Sequence, residues 1–218
     1  MAAELTHTIR AERKRLADNG PQRSRTEGDF ARVSLPDADC DVLRDLLAAE
    51  GARAVIEIGL AYGSSALSIG EALVSGGKTD VTHLIIDPYQ DLFYNAGWDA
   101  IIAAGLGATS TLITQRSQLA LPRLLTEHFV ADAAFVDGSH TFHNVFVDLY
   151  FLRELVRPGG LVILDDCQWP SVATAARYFE ANTGWQRHDI GRPTRLHALR
   201  LPDPPVEPRF EDFKRFDS

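Results

Sequence analysis

Two short stretches concentrate the groups that could do chemistry. "FVDGSH" (135–140) ends an apolar run in Asp137, with His140 three residues further on. "LVILDDCQW" (161–169) ends another such run in Asp165 and Asp166. If these runs are adjacent parallel strands, three carboxylates crowd one cleft. Like charges at that range raise one another's pKa unless a cation is present. Three hard oxygen donors with room for water suit Mg²⁺, with Mn²⁺ or Ca²⁺ as substitutes. Each acid also has a plain structural use: Asp165 or Asp166 as the cap of the next helix, Asp137 as the shaper of the turn at Gly138. His140 in turn could simply bond a loop carbonyl.

A third stretch, "EIGLAYGSS" (57–65), runs from an apolar strand through Gly59 and Gly63 into a helix at Ser64 and Ser65, with Tyr62 between. It lacks the GxGxxG of a dinucleotide fingerprint and the GK[ST] of a phosphate loop. A fourth, "LIIDPY", ends in Asp87, an acid able to accept from both hydroxyls of a ribose. Together they describe a nucleoside without a phosphate chain, carrying positive charge near Glu57. S-adenosylmethionine meets that description: its ammonium would be drawn to Glu57 and its carboxylate to the amides opening the helix after Gly63. The plainer alternatives are a strand-end ion pair for Glu57 and a turn before Pro88 for Asp87.

These groups need a scaffold that brings strand ends together. Apolar or β-branched runs at 53–58, 81–86, 109–114, 132–136 and 161–165 alternate with helical patterns near 64–74, 97–105, 118–128, 142–156 and 171–181. Such an order predicts an α/β fold, a mostly parallel sheet with helices on both faces. "RPGG" (157–160) stops a helix and turns the chain into the next strand. "WQRHDI" and "RLHALRLP" flank the turn "GRPT" with no helix between, so the last strand should run antiparallel. "PDADCDVLRDLLAAEGA" reads as an amphipathic helix ended by Gly51.

Taken in order, "EIGLAYGSSAL", "IDPY", "RSQLALPRLL", "FVDGSH" and "RPGGLVILDD" resemble the class I methyltransferases, most closely the metal-dependent catechol-type and macrolide-sugar-type O-methyltransferases. The resemblance covers about residues 35–200. It implies a Rossmann-like, seven-stranded sheet and S-adenosylmethionine as cofactor. Gly59, Tyr62, Gly63, Ser64, Ser65, Asp87 and Asp137 would line the cofactor site, and Ser117 and Gln118 would meet the adenine edge. Ser117 as a helix N-cap is the competing use. Mg²⁺ would sit on Asp137, Asp165 and Asp166, and His140 falls at the position of the catalytic base. His143 is its local competitor. Tyr89, Phe93, Tyr94, Trp98 and Trp169 could wall an apolar or sugar-like acceptor, with core packing as their default. The activity implied is methylation of a small-molecule hydroxyl. A metal-independent methyltransferase and a non-catalytic nucleoside-binding protein on the same fold are the rivals.

Residues 1–35 form an N-terminal cover carrying Arg10, Arg13, Lys14, Arg15, Arg23, Arg25 and Arg32. They read as a solvated helix and loop or as a lid for an anionic ligand. Residues 36–201 form the methyltransferase domain and 202–218 an extended tail. In that tail Phe210, Phe213 and Phe216 should pack on the body, a homodimer contact being the alternative. A net charge of −8 over 218 residues argues against nucleic acid as a partner. No apolar run suits a signal or a membrane span. Cys40 and Cys167 match no metal or redox spacing, which fits reduced thiols in a cytoplasmic protein.

Overall fold

A computed structural model describes residues 2–216. Seven strands form one sheet in the order β3-β2-β1-β4-β5-β7-β6. They are β1 (Ala54–Ile58), β2 (Thr82–Ile86), β3 (Ser110–Ile113), β4 (Ala131–Val136), β5 (Val156–Leu164), β6 (Gln186–His188) and β7 (His197–Arg200). The first five pair in parallel, and β7 alone runs antiparallel, to both β5 and β6. The hairpin signal at "GRPT" thus predicts the strand direction correctly. "RPGG" is a bulge: Ala131 pairs with Val156 and Ala133 with Leu161, so four residues of β5 loop out against one of β4. The helix before it ends at Leu155, as that stretch implies.

β1, β4 and the last half of β5 are buried on both faces, which their unbroken apolar runs require of a parallel sheet. One face is covered by α1 (Ala2–Asn19), α3 (Asp37–Ala49), α4 (Ser64–Val74) and α5 (Ala96–Ala103), through Ile9, Leu43, Leu67 and Ile101. The other is covered by α6 (Ser117–Thr126), α7 (Phe142–Leu155) and α8 (Pro170–Asn182), through Leu121, Leu149 and Phe179. A short helix, α2 (Asp29–Val33), completes the N-terminal cover. Of the tail phenylalanines, Phe213 and Phe216 pack on Tyr178 of α8 with ring centroids 6.5 and 5.3 Å away, whereas Phe210 stays exposed. Among the described residues no helix is long and apolar enough to cross a membrane.

Four arginines of the cover reach acids of the body or of the cover itself, although Arg10 and Arg32 stay largely exposed. Arg10 and Arg13 bond the buried Glu71 of α4, and Arg25 and Arg32 bond the buried Asp29. Most of the positive charge in the cover is therefore spent on internal acids, because α1 and α2 pack against the body rather than float above it.

At the end of β1, Gly59 has φ +94°, and a Cβ there would stand 2.2 Å from the carbonyl oxygen of Asp137. Gly191 shares a positive φ of +73° but has nothing within 4 Å. Gly59→Ala should therefore lower the free energy of unfolding by roughly 2–4 kcal/mol, and Gly191→Ala by only about 1 kcal/mol. Urea denaturation of the two variants checks the contrast.

Candidate active site

The candidate residues share one row of the sheet. Just past the last paired residues, the backbone N–H of Asp87 donates to Ile113 O (3.1 Å) and that of Gly59 to Ile86 O (3.0 Å). The N–H of Asp137 donates to Ile58 O (2.9 Å) and that of Asp165 to Val136 O (3.1 Å). Consecutive parallel strands thus end on the same rung, at the carboxyl edge where open α/β sheets bind ligands.

Asp87 braces the glycine turn. Its Oδ2 accepts from the N–H groups of Leu60 (3.0 Å) and Ala61 (3.1 Å) and from Gln90 Nε2 (3.0 Å). Its Oδ1 accepts only from Tyr89 N–H (2.7 Å), leaving an acceptor position for a ligand. The brace holds Ala61 at φ +44°, a left-handed conformation that costs any residue but glycine. A narrow crevice above the turn is lined by Val33–Leu35, Gly59–Ser65 and Asp137.

Not every expected contact faces that crevice. Glu57 sits behind the turn rather than at its mouth: it is fully buried on the α4 face of the sheet. It accepts a hydrogen bond from Ser65 Oγ (2.5 Å), and His83 Nε2 lies 2.9 Å from its other oxygen. Glu57 is thus directed inward beside His83, and the Ser65 hydroxyl is engaged inward with it. Tyr62 also points away. Its hydroxyl donates to Asp29 Oδ2 (2.7 Å) and accepts from Arg25 N–H (3.0 Å), while its ring packs edge-on against Phe30 and Phe93. The hydrogen bond from Arg25, with those from Tyr62 and Arg32, holds Asp29 well below the usual carboxylate range despite its burial. Ser117 is no N-cap, for that position is Arg116 with no side-chain bond. Its hydroxyl lies toward the buried Asp148, and Gln118 donates to Asn144 Oδ1 (2.5 Å).

The acids past β4 and β5 do converge, with one exchange of partners. Ligand atoms of Asp137, His140 and Asp166 lie within 4.8 Å of one another. His140 Nε2 is 2.6 Å from Asp166 Oδ2 and 3.8 Å from Asp137 Oδ1. Asp166 has φ +57°, a left-handed turn that aims consecutive aspartates in different directions. Asp165, nearly fully buried, accepts from Arg195 in the loop between β6 and β7 instead of joining the cluster. Burial pushes the Asp137 carboxyl up to about 7, Asp165 and Asp166 adding to the effect and His140 opposing it. The carboxylates of Asp137 and Asp166 raise His140 above its ordinary value against the effect of partial burial. Of the five aromatics, Tyr89, Tyr94 and Trp169 are exposed, while Phe93 packs edge-on against Tyr62 and Trp98 packs against the core.

A methyltransferase-domain family model matches residues 56–167, just over half of the chain. The chain belongs to that methyltransferase family. It is 29% identical over 143 residues to tapetum-specific methyltransferase 1 of Arabidopsis thaliana, covering 65% of this chain and 58% of the relative. The chain thus spans less than two thirds of the curated relatives it matches. The O-methyltransferase from Bacillus cereus, solved with S-adenosylhomocysteine, superposes with a TM-score of 0.63 at 15% identity, over 94% of this chain and 91% of the other. TomG, a Streptomyces achromogenes O-methyltransferase of tomaymycin synthesis solved with S-adenosylmethionine, gives 0.66 at 17% identity, over 89% and 88%. These two likenesses establish the fold.

Several residues in and around the candidate site escape sequence reasoning. Asp29, His83 and Arg195 find their partners only across the fold. Asp148 left a signal: a charged residue at an inward helical position beside Val145, Leu149 and Leu152. Burial pushes its carboxyl up to about 7, opposed by the Ser117 hydroxyl.

In metal-free protein the His140 ring should titrate above its ordinary value of about 6.5. Asp166→Asn should lower that value, since it removes a charge that favours the imidazolium. Proton NMR of the imidazole resonances against pH measures both, and a wild-type midpoint below the ordinary value contradicts the geometry.

Proposed function

We propose that the chain is an S-adenosylmethionine-dependent O-methyltransferase that methylates a hydroxyl of a small molecule with the help of a divalent cation, Mg²⁺ foremost. The observation that carries this reading is the convergence of Asp137, His140 and Asp166 one strand away from the braced glycine turn. The similar O-methyltransferases holding S-adenosylmethionine or its demethylated product support the donor.

The residues fit both groups. Asp87 Oδ1 retains acceptor capacity for ribose, and the first amides of α4 face the crevice where a carboxylate would bind. Asp137 and Asp166 offer converging carboxylate oxygens, and a cation between them would offset both the burial that raises Asp137 and their smaller mutual repulsion. A bound divalent ion supplies Lewis acidity that makes the acceptor hydroxyl easier to deprotonate. Mg²⁺ favours oxygen donors, which leaves the imidazole nitrogen of His140 for proton transfer.

His140 Nε2 would take the hydroxyl proton, and S-adenosylmethionine held at the glycine turn would supply the electrophilic methyl group. A partial negative charge then meets a sulfonium, so charge separation falls along the path. Little charge stabilisation is needed, and the main duties of the protein are alignment and exclusion of water. The glycine turn supplies the first and the N-terminal cover the second. Exposed Tyr89, Tyr94 and Trp169 suit an aromatic or sugar-containing acceptor.

Thorough EDTA treatment should abolish methyl transfer to a panel of phenols and glycosides, and Mg²⁺ should restore it. His140→Ala should cut turnover by a factor of roughly 10²–10⁴ with S-adenosylhomocysteine binding nearly unchanged. His143→Ala, on the exposed side of α7, should keep most of its activity. Full activity in chelator would favour a metal-independent reaction on the same fold, and binding without turnover would favour the nucleoside-binding reading.

A further inference from the structure

Arg195 reaches the acidic cleft from a loop that is fastened elsewhere. Thr194 Oγ1 donates to Asp39 Oδ1 (2.5 Å) and Arg192 Nη2 to Asp45 Oδ2 (2.9 Å), so α3 anchors the loop on both sides of Pro193. From there Arg195 Nη2 donates to Asp165 Oδ2, and the guanidinium also lies in the field of Asp166 and Asp137. The other oxygen of Asp165 accepts the backbone N–H of Asp166 (2.8 Å). Asp165 is therefore occupied by two fixed donors, one a backbone amide and one an anchored arginine. The partners of Asp166 are looser: the exposed Gln168 side chain and the half-exposed His140.

The charges point the same way. With its three carboxylates ionised and His140 neutral, the cleft and its one guanidinium carry two negative charges. That is the complement of one divalent ion. Without Arg195 the same cleft would carry three and would favour a trivalent ion.

We propose that Arg195 is a positioning residue that holds Asp165 outside the ligand shell of the metal and sets the charge of the cleft for divalent ions. The proposal rests on the metal reading above. It assigns Asp165 a different duty from Asp137 and Asp166, although the sequence presents Asp165 and Asp166 as an equivalent pair.

Metal binding, without turnover, tests it. Mn²⁺ would be followed by electron paramagnetic resonance and Tb³⁺ by luminescence at pH 8, in the intact chain. Arg195→Met should shift the Tb³⁺-over-Mn²⁺ preference by about tenfold or more, and Arg195→Lys should stay near wild type because the charge is kept. Asp165→Asn should weaken Mn²⁺ binding at least about tenfold less than Asp166→Asn does. Should Arg195→Met fail to fold, the neutral pair Asp165→Asn with Arg195→Met removes both charges together and should retain wild-type Mn²⁺ affinity. An unchanged ion preference in Arg195→Met, Mn²⁺ loss in that double variant, or equal damage from Asp165→Asn and Asp166→Asn would overturn the proposal while leaving the metal reading intact. A wild-type chain that binds neither ion would overturn both.

Discussion

The close crossing of β1 and β4 at their carboxyl ends constrains everything around it. Gly59 lies so near the Asp137 carbonyl that no side chain fits, and the same rung continues to Asp87 on one side and Asp165 on the other. Each of these residues continues the ladder by bonding the last residue of its neighbour strand. The spacing between the candidate cofactor turn and the candidate metal cleft is thereby fixed by backbone hydrogen bonds at the spacing of adjacent strands, about 5 Å. Side chains can vary around that rung, but its geometry cannot shift without breaking the sheet.

Buried charge is the second organising force, and three buried acids each receive arginine partners. Glu71 takes Arg10 and Arg13, Asp29 takes Arg25 and Arg32, and Asp165 takes Arg195. A carboxylate left alone inside would neutralise or destabilise the fold, since removing one partner of a buried pair costs several kcal/mol. The first two acids tie the N-terminal cover to the body, Asp29 through Tyr62 of the glycine turn itself. The cover and the turn are thus mechanically joined. In the cleft, by contrast, acids converge without an arginine for each: Asp137 and Asp166 share the half-exposed His140.

The same logic separates two cysteines from chemistry. Cys40 and Cys167 are both buried and unpaired, and burial pushes each thiol up to about 12, far from the thiolate that reactivity requires. They serve as small apolar side chains within the two cores.

Local pattern alone determined the strand and helix order, the antiparallel hairpin at "GRPT", and which residues stand at strand ends. These follow from periodicity and turn chemistry, which act over a few residues. That Asp137 meets the acids ending β5 was legible as far as Asp166, because adjacent parallel strands must end together. Side-chain direction and long-range pairing were decided only by the tertiary structure. Glu57 and Asp87 look alike as strand-end acids, yet one turns inward to Ser65 and His83 while the other caps the glycine turn. Asp165 and Asp166 are neighbours in sequence, yet a left-handed backbone at Asp166 and an arginine thirty residues away send them to different partners. Arginine in the cover looked like a surface charge run until folding set Glu71 and Asp29 beneath it. Periodicity gives the face a residue occupies, but the identity of its partner depends on which segments the sheet order brings together, and no local pattern records that.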